Sequence, residues 1–185
     1  NSSSSPSNSI ANLSNANIFF SNVATYTDPV GLDFGNVTIS GASLDLVNPL
    51  RARSMTINAT RTLNANGNII EIFGTGGTVW SQLGTFNPGG AGQTVTFNGA
   101  EPTINGTNFQ NLTINSSGTA TSLDDLTMAE QLDVTAGSFV GGVLVQTNGD
   151  ITINTSGNVD QSDMDSQGGD ISVISTAGSI SLGDV

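Results

Sequence analysis

The densest grouping of side chains able to hold a cation is "NVDQSDMDSQGGD", which places Asp160, Asp163, Asp165 and Asp170 close together in the chain. Carboxylates are the hard oxygen ligands that calcium takes, and Asp163-x-Asp165-x-x-Gly168 matches the opening of a calcium loop. The match stops there, because the twelfth position counted from Asp163 is Ile174 where such a loop needs a bidentate Glu. An acidic, solvated loop fits the stretch better, and a weak calcium site at the four aspartates is the only cofactor site the residues offer. Asp124 and Asp125 have the residue type for acid/base work, but neighbours on a strand point to opposite faces, so a turn-forming pair is the simpler reading.

Other chemistry is removed by absence. The chain has no His, no Lys and no Cys, which takes away serine triads, lysine bases, thiol nucleophiles and most transition-metal sites, so an enzyme is not expected. Net charge is −12, which repels nucleic acid and anionic lipid alike. No stretch approaches the roughly 18 apolar residues of a membrane-spanning helix. Arg51, Arg53 and Arg61 are expected to solvate a corner beside Asp45 and Glu71. Trp80, in the Gly-rich stretch "GTGGTVWSQLGTFNPGGAGQ", is a sugar platform or, more economically, part of a packing cluster with Leu83 and Phe86.

The elements that must position these groups are short. Asn, Ser, Thr and Gly make up 89 of 185 residues, and helical spacing is almost absent. From residue 37 onward there are twelve apolar-x-apolar dyads: Val37/Ile39, Leu44/Leu46, Met55/Ile57, Ile70/Ile72, Val95/Phe97, Leu112/Ile114, Leu126/Met128, Leu132/Val134, Val143/Val145, Ile151/Ile153, Ile171/Val173 and Ile180/Leu182. The middle residue is polar in eleven of them, which is the period of a strand with one buried and one wet face. Two inward side chains cannot hold a strand alone, so many strands must stack. In the tail, "NGDITI" at 148–153 returns as "GGDISV" at 168–173, twenty residues on. That interval, with two or three short strands per period, predicts a parallel β-helix over an antiparallel sandwich. Six of the middle residues are Thr38, Thr56, Thr96, Thr113, Thr127 and Thr152, the residue type of ice-binding solenoids, but Asp45, Glu71 and Asp133 are expected to interrupt any flat row.

The stretch from "WSQLGTFNPGG" through "TVTFNG", "NFQNLTI" and "LDVTAGSF", residues 80–139, resembles a repeat of large bacterial surface and secreted proteins. The tail "GGDISVISTAGSISLGDV" is similar to the right-handed β-helix of filamentous-haemagglutinin and autotransporter-passenger proteins. The resemblance implies an all-β, right-handed parallel β-helix with irregular corners, on a bacterial cell surface or outside the cell. It implies a structural stalk, adhesin or filament segment and brings no catalytic residue. Carbohydrate-binding or carbohydrate-cleaving β-helices are the alternative, and ice binding comes after them.

The expected organisation is a polar N-terminal segment and cap over residues 1–20, then a solenoid over 21–185 with a Gly-rich junction or long loop at 74–93. Expected partners are further rungs, stacked head to tail as a homo-oligomer, as a filament or within a longer chain. A carbohydrate or host-surface ligand joins them, without nucleic acid or membrane insertion.

Overall fold

A strand with two inward residues persists when the rungs above and below both supply hydrogen-bond partners. The computed structural model describes residues 13–27, 31–141 and 143–183, and in them it has strands and no helix, coiled as a β-solenoid of about nine rungs. The first three rungs are β1 (Leu13–Phe20) with β2 (Ala24–Tyr26), β3 (Asp33–Ile39) with β4 (Ser43–Leu46), and β5 (Leu50–Ile57) with β6 (Thr62–Asn64). The fourth is β7 (Ile70–Ile72), β8 (Thr78–Gln82) and β9 (Thr85–Asn87), and the fifth is β10 (Thr94–Phe97), β11 (Thr103–Asn105) and β12 (Asn108–Phe109). The sixth is β13 (Asn111–Asn115), β14 (Thr119–Ser122) and β15 (Leu126–Met128), followed by β16 (Leu132–Ala136), β17 (Ser138–Val140) and β18 (Leu144–Thr147). The last two are β19 (Ile151–Thr155), β20 (Val159–Asp160) and β21 (Asp163–Ser166), then β22 (Ile171–Ser175) and β23 (Ile180–Ser181).

Pairing between rungs is parallel throughout, and the dyads stack in register. Ile70, Val95, Leu112, Leu132, Ile151 and Ile171 form one inward column, and Ile72, Phe97, Ile114, Val134, Ile153 and Val173 form the next. Leu112, Ile114, Leu126, Met128, Leu132, Val134, Ile151 and Ile153, expected inside, are all buried. Each contributes about 1.5–3 kcal/mol of transfer free energy, so a continuous core supplies what no single rung can.

The corner between the first and second faces changes along the axis. In β5, Leu50–Ala52 pairs with β7 while Met55–Ile57 pairs with β8. Between them Arg53 and Ser54 both escape burial, so the inward alternation slips phase inside one strand. From the fourth rung onward one to five residues stand at this place, and the long strand becomes two. This explains why β1, β3 and β5 run to seven or eight residues, longer than the three to six the dyads suggest.

Two sequence expectations change. Residues 13–20 are the first strand of the solenoid, paired with β3, rather than a polar segment ahead of it, while Ile10 and the rest of 1–12 lie outside the described residues. Of the two readings of the Gly-rich stretch 74–93, a single long loop is excluded by β8 and β9 within it, which leaves the junction. It is also where the third face passes from the sheet β2-β4-β6-β9 to the separate sheet β12-β15-β18-β21.

Trp80 fills the core at that break. It is fully buried, edge-to-face with Phe86 at 5.2 Å and Phe97 at 6.1 Å between ring centroids, and tilted against Phe109 at 5.7 Å. Leu83, expected in the cluster, is 62% exposed at the corner. Phe97 and Phe109 take its place because they arrive from the next rung, directly against the indole.

Candidate functional site

The arginines do not sit together at a corner. Arg51 lies on the first face between Asp33 at 2.5 Å and Glu71 at 2.7 Å, because these three residues are stacked partners on β3, β5 and β7. The hydrogen bond from Arg51 raises the guanidinium pKa and holds the Glu71 carboxyl below its usual range, against desolvation. The ladder continues through Asn98, whose amide donates to Glu71 at 2.9 Å, and Asn115, which donates to Asn98 at 3.2 Å. Arg53 donates to Asn15 instead. Asp45 belongs to the third face, where it accepts from Asn64 at 2.7 Å.

The four aspartates of the calcium reading are spread over different elements. Asp160 is on β20, Asp163 and Asp165 share the outward side of β21, and Asp170 precedes β22. Asp165 accepts from Gln146 at 3.0 Å, and the backbone N–H of Asp170 donates to Asp150 at 3.0 Å. Among the described residues no three acidic side chains converge as a metal site requires. Asp124 and Asp125 occupy the corner between β14 and β15. The threonines divide between faces: Thr38 pairs with Thr56, and Thr127 is on the third face. Thr96, Thr113 and Thr152 share a column that follows on from Glu71 and is interrupted by Asp133.

The third face from the fifth to the eighth rung carries a different arrangement. Register places Asn108, Thr127, Gln146 and Asp165 in one outward row. Two residues further on, just past the end of each strand, Gln110, Ala129, Asn148 and Gln167 form a second row. Within each row the spacing is 19 residues, and a rung rises about 4.8 Å, so the rows are parallel ladders, the first of amides, a hydroxyl and the Asp165 carboxylate, the second of amides broken at Ala129. Ala129 leaves a notch, and around it lies a trough of about 350 Å³ above the buried Phe109 and Met128, with Pro88 also lining it. A second hollow of about 410 Å³ adjoins it across Ala129 and Asn148, reaching Glu130 and Asp150.

Glu130 fastens this corner. Its carboxylate accepts from Asn111 at 2.5 Å, from Gln110 at 2.8 Å and from the backbone N–H of Gly92 at 3.1 Å. Those donors hold its pKa below the usual range, the Gln110 amide foremost. The contact with Gly92 crosses to the Gly-rich corner, where Gly89, Gly90 and Gly92 all take positive φ. Anions suit such a cradle of amides, and the trough wall is thereby held rigid.

Nothing in composition marked this trough. The signal that finds it is the 19-residue recurrence of Gln110, Ala129, Asn148 and Gln167, which becomes visible once the rung length is known.

A separate polar feature lies inside the core. Ser122 and Gln161 are buried, and the Ser122 hydroxyl and both polar atoms of the Gln161 amide have no hydrogen-bond partner. Pairing sets Gly141 between them and Leu182 one rung beyond Gln161.

Compared with protein-family models, with curated proteins and with solved structures, the chain matches none.

Proposed function

We propose that this chain is a structural, non-enzymatic segment of a secreted bacterial surface adhesin or extracellular filament, acting by shape, reach and surface contact. The observation that carries the reading is the in-register core through about nine rungs, which makes a rod about 38 Å long from one rung spacing repeated. The resemblance of residues 80–139 and of the tail to surface-protein repeats agrees with it. In the same reading the rod is extended end to end, by further rungs of a longer chain or by another copy. Half-buried Ile171 and Val173 and exposed Ile180 on β22 and β23 are the apolar surface that such a rung would cover.

Immunogold labelling of the source cells with antibody to this chain, paired with negative-stain microscopy of the purified protein, tests the proposal. Label on the cell exterior and rod-shaped particles are expected. Label confined to the cytoplasm would overturn it, as would turnover of a polysaccharide by the purified chain.

A further inference from the structure

We propose that the third-face trough binds a neutral oligosaccharide chain lying along the solenoid axis across the fifth to eighth rungs, an inference that rests on the surface-contact reading above. Three features select this ligand class.

The first is hydrogen-bonding type. A side-chain amide offers two donors and an acceptor, so rows of amides meet hydroxyl groups presented in either sense. Among the described residues the side chains of Asn108, Thr127, Asn148 and Gln167 hold no partner, while Gln110 and Gln146 are oriented by Glu130 and Asp165. Repetition at one rung spacing suits a ligand that is itself a repeating polyhydroxylated chain.

The second is charge. All three arginines lie on or just after β5, outside this face, and the ionised groups bordering the trough are the carboxylates of Glu130, Asp150 and Asp165. That border disfavours sulfated, phosphorylated or uronic-acid chains and accepts neutral ones.

The third is shape. The notch at Ala129 opens a concave trough that also takes in half-buried Pro88, a small apolar surface for the C–H face of a sugar ring between polar walls, while Phe109 and Met128 stay buried beneath it. Asn108, Thr127, Gln146 and Asp165 are strand residues whose backbones are held by pairing between rungs, on both sides at β15 and β18, so little ordering cost falls on binding there.

Isothermal titration with cellohexaose, chitohexaose and mannohexaose tests the site, with an oligogalacturonate of equal length as the anionic comparison. At least one neutral chain is expected to bind. Ala129→Trp, at an exposed outward position, fills the notch and is expected to weaken that binding by about tenfold or more, with an unchanged circular dichroism spectrum. Asn148→Ala with Gln167→Ala is expected to weaken it without blocking the trough. Failure of all three neutral chains to bind, equal binding by Ala129→Trp, or tighter binding of the oligogalacturonate would overturn the assignment. Rods on the cell surface with no glycan binding would overturn this inference alone, whereas glycan binding by a cytoplasmic protein would overturn the surface reading alone.

Discussion

The first three rungs and the last five solve the same corner in different ways. In β1, β3 and β5 the chain passes from the first face to the second without leaving the strand, and in β5 this leaves two consecutive residues, Arg53 and Ser54, outside the core. From β10 onward the corner is a separate loop, and each face has its own short strand. The inward columns run through both regions. A solenoid can therefore change its cross-section partway along, provided something fills the irregular volume at the transition. Here the filler is the aromatic cluster of Trp80, Phe86, Phe97 and Phe109.

Removing that filler should have the largest effect on the molecule. Trp80→Ala is expected to cost about 3–5 kcal/mol and to separate the unfolding of the two regions, seen as two transitions in urea followed by hydrogen exchange. A single transition would mean that the regions are coupled by their backbone ladders instead. Next come matched truncations on either side of the junction, Ile57→Ala and Ile153→Ala, each expected to cost about 2–5 kcal/mol. Because a repeat array gains stability from nearest neighbours, each should lower amide protection mainly in adjoining rungs. In the later region Gln161→Leu replaces a buried, unpartnered amide with the residue type found one rung on. A gain of about 1–3 kcal/mol in thermal or urea unfolding is expected.

Smaller effects attach to the charged fasteners. Glu71 at the transition rung and Glu130 in the later region both have folded pKa values below the usual carboxylate range. Their stabilisation is present above the unfolded carboxylate value and is lost as pH falls through the folded one. Acidification should loosen the amide of Gly92 through Glu130, and Glu130→Gln should abolish that pH dependence in exchange measurements. Arg51→Ala should cost least, about 0.2–1 kcal/mol because the triad is solvent-facing, and the difference should shrink as salt is added.

What could be read from the chain depended on how many residues a strand turns inward. A dyad carries its own period, and ten of the twelve proved buried; Ile171/Val173 and Ile180/Leu182 were the exceptions. From the fifth to the eighth rung the second face was invisible, because Ile104, Ala120, Phe139 and Val159 are each the lone apolar inward residue of a short strand, which has no apolar alternation to detect. Phe34, Leu50 and Ala52 were missed for another reason: the phase slip in the long strands separates them from the dyads that follow. The trough was hidden because its residues are ordinary surface amides. Only the rung length brings Gln110, Asn148 and Gln167 into line, and that length follows from pairing rather than from composition.

The uniform rung has a kinetic consequence. Strand partners lie from 17 residues apart, as in Val95 and Leu112, to 25, as in Met55 and Trp80. Chain-closure entropy grows with the logarithm of that distance, so the extremes differ by only about 0.3 kcal/mol and no rung is favoured as the place to begin. Relative contact order comes to roughly 0.1, in the range of helical bundles rather than of β-sandwiches. Although every sheet is parallel, each new rung needs only the one before it, so a chain threaded out from its N-terminus can fold as it emerges, one loop closure at a time.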